Sequence, residues 1–268
     1  MVGPRAQPAD TGSPRRRVVV LGASNLALSL PTVVSTARSM LGGPLQLLAT
    51  PGHGRSYGLS TQFFWRRLPG IASCGLWDEL ARQPDTTTVA LLTDIGNDLV
   101  YGVPVRQIVA WIETCLERLD AVGARVVFTS LPMESLQRTP HYRVRLMRRL
   151  LFPSSRTPVA AMLDQAEELS DRIDVLGRQP SRSVVDLPGA WYGLDPIHIR
   201  RSKRQAAWSA ILAPLAEGAA AHPLQPMTWR ERTQIRRIRP HERTVFRRLR
   251  MHLQTGARLS DGTTLSLY

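Results

Sequence analysis

At 268 residues with 43% hydrophobic content the chain buries one substantial core, and ordinary domain sizes allow one domain with extensions or at most two. Cys74 and Cys115 are too few for a disulfide framework and lack metal-ligand spacing, so both are expected as reduced, mostly buried thiols in a reducing, cytoplasmic compartment. The formal net charge of +14 attracts phosphates, anionic lipid or acidic polymers, but Lys203 is the only lysine among 35 basic residues, so part of the arginine excess is a matter of codon usage and composition alone does not identify a partner.

Met1 to Pro14 is rich in Pro, Gly and small polar residues without an apolar period, and residues 1–16 are expected to be a disordered leader. Arg15, Arg16 and Arg17 followed by the apolar stretch Val18 to Leu30 have the outline of a twin-arginine export signal. Cleavage beyond that stretch would remove Ser24, the best nucleophile candidate in the chain, so retention is the expectation. No apolar run approaches the roughly 20 residues that cross a bilayer.

Residues 17–222 read as one domain. Val18 to Leu21 is a continuous apolar, β-branched run that stops at Gly22, the pattern of a strand buried on both faces. The pattern recurs at Leu45–Ala49, Val89–Thr93, Arg125–Ser130 and Ser183–Leu187. A helix is predicted over Val105–Val122, with Ile108, Ile112, Leu116 and Leu119 on one stripe and Gly123 to end it. A second starts near Pro158 behind the capping candidates Ser155 and Thr157, and carries Val159, Met162, Ala166, Leu169 and Ile173. A third, about Arg201 to Leu215, aligns Trp208, Ile211, Leu212 and Leu215. Strands alternating with helices of this length predict an α/β domain whose parallel sheet is covered on both faces, with chemistry at the carboxyl ends of its strands. Phe63, Phe64 and Trp65 are expected in the core.

Residues 223–268 change in character. Trp229 to Arg250 is dense in arginine, and Val245, Phe246, Leu249 and Leu253 fall on one face of an expected basic amphipathic helix. Asp261-Gly262 between two short apolar runs is a two-residue hairpin signal.

Four segments carry candidate chemistry. Gly22-Ala23-Ser24-Asn25 follows the first strand, which sets the Ser24 hydroxyl at a carboxyl strand end; a serine there also serves as a plain helix cap. Pro51-Gly52-His53-Gly54 follows the second and offers backbone N–H groups, or is only a loop. Thr93 to Asp98 ends the third, where Asn97 donates to a developing oxyanion or the Gly-Asn-Asp composition makes a simple turn. Asp195-Pro-Ile-His198 follows the last strand, and its spacing lets the carboxylate reach the imidazole within one turn. His198 alone of the six histidines has this arrangement.

In the order Ser, Gly, Asn, Asp-His, these segments over about Arg17 to Leu215 resemble the four blocks of the SGNH/GDSL hydrolase superfamily. The resemblance implies a flavodoxin-like three-layer α/β/α sandwich with a central, mostly parallel sheet, here with a basic C-terminal extension. It implies a serine hydrolase acting on ester bonds, of esterase, lipase or acyl-transfer type. Ser24 would be the nucleophile, His198 the base and Asp195 its partner. An oxyanion hole would come from the Ser24 and Gly54 N–H groups (Gly52 in the other register) and the Asn97 side chain. No metal or organic cofactor is implied. Ala23 stands where the family commonly has aspartate, Ile95 where the first glycine of its third block falls, and Ile199 where proline commonly follows the histidine.

Trp191 and Tyr192 precede the Asp-His pair and either wall the acyl site or pack the core. The expected partner is a small-molecule, lipid or carbohydrate ester. The basic segment His141–Arg149 is a solvated helix or a cover for the cleft. Two further readings are a catalytically silent binding protein on the same fold, and a binder of nucleic acid, anionic membrane or another polyanion led by the basic tail.

Overall fold

A computed structural model of the chain describes residues 16–82, 85–145, 158–216 and 226–268. The expected leader before Arg16, the capping candidates Ser155 and Thr157, and Arg148 and Arg149 of the basic segment lie outside these residues.

Apolar runs long enough for a strand but too short for a helix become the centre of the molecule. Strands β1 (Arg16–Leu21), β2 (Leu45–Ala49), β5 (Thr88–Leu92), β6 (Arg125–Thr129) and β7 (Arg182–Val185) pair in parallel in the order β2-β1-β5-β6-β7. Alternate residues of β1 go to opposite sides: Val19 and Leu21 join one buried cluster, Val18 and Val20 the other. That is why the run is apolar throughout. Helices α4 (Val105–Asp120) and α6 (Val159–Leu176) cover the first face with the stripes that the sequence predicts. Helices α1 (Ser24–Leu41) and α7 (Arg204–Leu212) cover the second, with Leu30, Val33, Val34, Trp208 and Ile211 buried there. The expected three-layer α/β/α sandwich is therefore the fold observed. Short helices α2 (Leu76–Ala81), α3 (Asn97–Val100) and α5 (Met133–Arg138) occupy the connections.

The chain leaves β1 toward β2 on one side and returns to β5 on the other. This reversal opens a crevice at the carboxyl ends of β1 and β5, the place where open parallel sheets bind their ligands.

The last residues differ from the expectation. Helix α8 is short (Trp229–Arg237) and is closed by a capping box between Thr228 and Glu231. The basic amphipathic helix through Val245 to Leu253 is absent, because two strands replace it. β8 (Glu242–Val245) and β9 (Arg248–Met251) form a hairpin that joins β3 (Thr61–Phe63) and β4 (Arg66–Leu68) in an antiparallel sheet ordered β3-β4-β8-β9. Leu249 and Met251 alternate with Arg248 and Arg250, a period of two that competes with the helical spacing and wins once β4 offers an edge.

The hairpin expected at Asp261-Gly262 forms between β10 (Ala257–Arg258) and β11 (Thr264–Leu267), with a longer loop than two residues. Leu259 N–H donates to Thr263 O, and Gly262 at φ +88° closes the turn. β11 then adds to the central sheet beside β2, in parallel, so the far end of the basic extension is part of the main sheet. Arg38 of α1 fastens this region further through ion pairs to Glu231 (3.2 Å) and Asp261 (2.7 Å).

Leu265 of β11 is fully buried whereas Leu253, in the same extension, is 91% exposed. Leu265→Ala is expected to lower the unfolding free energy by about 2–5 kcal/mol in urea titrations, the usual scale for a truncated core leucine. Leu253→Ala should stay within about 0.5 kcal/mol of the parent protein. Equal effects of the two would mean that β11 does not belong to the core.

Candidate active site

Ala23 cannot cap the helix that begins at Ser24, and no local side chain does. The cap comes from Asp94, 71 residues further on and just past the end of β5. Its Oδ2 accepts the N–H of Ala23 at 2.7 Å and that of Asn25 at 3.1 Å, passing over that of Ser24. A carboxylate here also meets the positive end of the α1 dipole. To aim back at α1, Asp94 adopts φ +59°, a left-handed conformation that Asp tolerates better than most residues. Asp94 lies in the Thr93–Asp98 segment, read from the sequence as an oxyanion donor or a turn, and nothing local marks it as the cap of α1.

Asn25 carries the next link. Its Nδ2 donates to Asp94 Oδ1 (2.7 Å) and to the carbonyl of Ile197 (2.9 Å), and its Oδ1 accepts the N–H of Ile199 (2.9 Å). One side-chain amide thus holds the residues on both sides of His198 against the N-terminus of the Ser24 helix. Nothing in the local sequence flags Asn25, because its partners lie about 70 and 170 residues away.

Asp195 and His198 meet as their spacing predicts. His198 Nδ1 bonds Asp195 Oδ2 at 2.5 Å, and the second oxygen of Asp195 accepts the N–H of Ile197 at 3.0 Å. Both side chains are half-buried. Burial depresses the His198 pKa, but the hydrogen bond and charge of Asp195, with the charge of Asp94, outweigh it and hold the imidazole above its ordinary value of 6.5. Burial likewise raises the Asp195 pKa, and the bond to His198 overcomes it and holds the carboxyl below its usual range. With Nδ1 committed, Nε2 is the nitrogen left to exchange a proton with a substrate or nucleophile.

The second and third segments are tied to the first. Gly52 N–H donates to Ala23 O (3.3 Å), and Asn97 Nδ2 to Arg55 O (3.4 Å). Gly54 sits at φ +61°, which suits its missing side chain, and its carbonyl accepts the Tyr101 hydroxyl at 2.5 Å. Asp98 is fully buried, receives the Ser56 hydroxyl and the Tyr57 N–H (2.9 Å), and is pushed by burial up to about 6. Arg55, also fully buried, donates Nε to Pro69 O (3.1 Å) and Nη1 to the main-chain oxygen of Tyr268. Asp98 and Arg55 were missed from the sequence, since burial of a charged side chain is decided by distant segments.

A cleft opens at this point. Ser24, Asn25, Asp94, Asn97 and Tyr192 are among its polar lining, and Leu99, Leu131, Met162, Ile197, Ile199 and Ile211 among its apolar lining. Tyr192 is thus a wall residue; Trp191 packs beside Tyr192, Ile199 and Ala207. Gly54, Asp195 and His198 are not among the lining residues, although Ile197 and Ile199 on either side of His198 are. In the basic segment 141–149, Val144 is buried and Tyr142 is exposed under the Arg143 guanidinium.

No protein-family profile matches the chain, and no curated protein does. Solved structures do. One chain aligns with a TM-score of 0.53 at 13% identity, over 76% of this chain and 98% of its own. An aryl esterase of M. smegmatis aligns at 15% identity with a TM-score of 0.48, over 75% and 97% of the two chains. A putative G-D-S-L lipolytic protein of Desulfitobacterium hafniense DCB-2 aligns at 9% and 0.46, over 74% and 98%. At such identities the likeness is one of fold.

His198 is expected to titrate above 6.5 by NMR, and Asp195→Asn should bring its pKa down, because burial would then be opposed by the charge of Asp94 without that of Asp195. The sign for stability follows from linkage. The His198 contribution is complete below about 6.5 and lost as pH rises through its raised pKa, while that of Asp195 is complete above about 3.8 and lost as pH falls through its lowered pKa. A His198 pKa at or below 6.5 in the unsubstituted protein would contradict the pairing. The chain has a flavodoxin-like three-layer α/β/α fold, with Ser24 following β1, Asn97 following β5 and the Asp195–His198 pair following β7.

Proposed function

We propose that the protein is a serine hydrolase acting on ester bonds, with Ser24 as nucleophile, His198 as general base and acid, and Asp195 as its orienting carboxylate. The observation that carries this reading is the Asn25 amide, which joins the N-terminus of the Ser24 helix to the residues flanking a His198 already bonded to Asp195. A structural turn has no need of a histidine oriented by a carboxylate and tethered through its neighbours to the helix that Ser24 begins.

In the proposed reaction Ser24 Oγ attacks the ester carbonyl carbon while its proton passes to His198 Nε2. The carbonyl π electrons move to oxygen, and the N–H groups of Ser24 and Gly54 and the Asn97 amide are the donors assigned to that charge. Collapse of the tetrahedral species breaks the bond to the alcohol oxygen, which leaves with the proton from His198. Water then attacks the acyl-enzyme by the same steps in reverse; an alcohol in its place gives acyl transfer. The imidazole must be neutral to accept the Ser24 proton, so the raised pKa puts the rise of kcat/KM with pH above about 6.5. The apolar walls of the cleft favour a hydrocarbon acyl group over a polar one.

A fluorophosphonate should label the native protein once, at Ser24, and should not label heat-unfolded protein. Ser24→Ala and His198→Ala are expected to abolish labelling. A folded protein that stays unlabelled and cleaves no short-chain ester would sink the enzyme reading and leave a silent binder on this fold. Separately, Asn97→Ala should keep the fold and lower kcat by about 10²-fold or more, the usual cost of an oxyanion donor. His53→Ala should cost far less; parity between His53→Ala and His198→Ala would reassign the base.

A further inference from the structure

Phe64 and Trp65, expected in the core, are 71% and 61% exposed, and Phe246 is 75% exposed. All three are hairpin-turn residues. Phe63 pairs with Arg66 and Val245 with Arg248, so residues 64–65 and 246–247 are the two turns of the small sheet. Arg66 pairs with Val245, which puts both turns at the same end of that sheet. Phe246 N–H donates to Trp65 O at 3.3 Å, and the Trp65 and Phe246 rings lie nearly parallel at 6.4 Å, so the two tips form one apolar prominence. Phe64, Phe246 and Arg247 all have positive φ, near +50 to +60°. Bulky residues held in that conformation and left in water are unfavourable on both counts, which is unusual for a surface with nothing to meet.

The surroundings are strongly one-signed. Arg66, Arg67, Arg243, Arg248 and Arg250 lie in the strands and Arg247 at a tip, against the single carboxylate of Glu242 in the same strands and turns. Burial and the charges of Arg239, Arg66 and Arg250 hold Arg243 below its ordinary pKa, a sign of mutual repulsion that an anion would relieve. On one face Gln62, Arg67 and Thr244 stand side by side in register, and with Trp65, Phe246 and Arg247 they line a shallow concavity. Rings at the crest with guanidinium groups and amide or hydroxyl donors just behind are the arrangement that an anionic lipid–water boundary accommodates: apolar rings in the acyl border, cations among the phosphates. A second copy of the chain is the poorer fit, since β9 is an edge strand carrying Arg248 and Arg250 and would meet its own charges.

We infer that the paired turns Phe64-Trp65 and Phe246-Arg247 dock the protein on anionic lipid surfaces, with Arg67 and Arg247 on headgroup phosphates. This assigns the lipid-directed role expected of a tail helix to two hairpins, one of them from the first half of the chain. It stands apart from the hydrolase reading, because it concerns binding alone.

Co-sedimentation of the full chain with vesicles tests it without any substrate. Binding is expected to vesicles of equimolar phosphatidylcholine and phosphatidylglycerol, to be much weaker to phosphatidylcholine alone, and to fall with added salt. Trp65→Ala/Phe246→Ala and Arg67→Gln/Arg247→Gln should each weaken it by about tenfold or more. Both pairs should leave the thermal unfolding midpoint and the fluorophosphonate labelling of Ser24 unchanged, which separates failure here from failure of the hydrolase reading. No binding to anionic vesicles, or binding that neither pair of substitutions changes, overturns the inference. So does single-stranded nucleic acid that binds through these residues while vesicles do not, or concentration-dependent self-association that the substitutions abolish without any vesicle binding.

Discussion

The arrangement of the site depends on one carboxylate, Asp94, and the amide it holds. Asp94 supplies the cap that α1 lacks locally, and in doing so sets where Ser24 stands at the end of β1. The same carboxylate grips the Asn25 side chain, which in turn grips Ile197 and Ile199. Three segments brought together from residues 23–25, 94 and 195–199 are therefore held by charge-assisted and amide hydrogen bonds at the crevice between β1 and β5. In such a half-buried setting each bond is worth more than on the open surface, and removal of one partner leaves the others unsatisfied. The helix that follows Ala23 thus takes its terminal carboxylate from Asp94, just past the end of β5.

The second constraint is burial of charge. Arg55 and Asp98 are fully buried beside the loop that carries Gly54; Asp98 is held by Ser56 and Tyr57, and Arg55 by main-chain oxygens of Pro69 and Tyr268 through Nε and Nη1. Arg55 bonds the main-chain oxygen of Tyr268, directly after the strand that extends the central sheet. The far end of the basic extension is in this way connected to the loop beside the cleft, and the extension is scaffold as well as surface. Its middle part, the β8–β9 hairpin, belongs to the smaller sheet and carries Arg243, Arg247, Arg248 and Arg250, while α8 carries Arg230, Arg232, Arg236 and Arg237.

The sequence by itself determined the layers. Short apolar runs and amphipathic stretches of fixed period have one stable solution at this length, a parallel sheet between helices, and the five central strands and the helices over 105–120 and 159–176 formed where their patterns lie. It also determined the Asp195–His198 contact, because three residues of separation suffice for it. Tertiary structure alone decided what depends on distant partners. Asn25 and Asp94 carry no local signature because their bonds span about 70 and 170 residues. Residues 245–253 have both a helical and an alternating pattern, and only the edge of β4, nearly 180 residues earlier, selects the strand. The exposure of Phe64 and Trp65 was likewise hidden, since hydrophobicity states what a residue gains from burial and not whether the fold has a place to bury it.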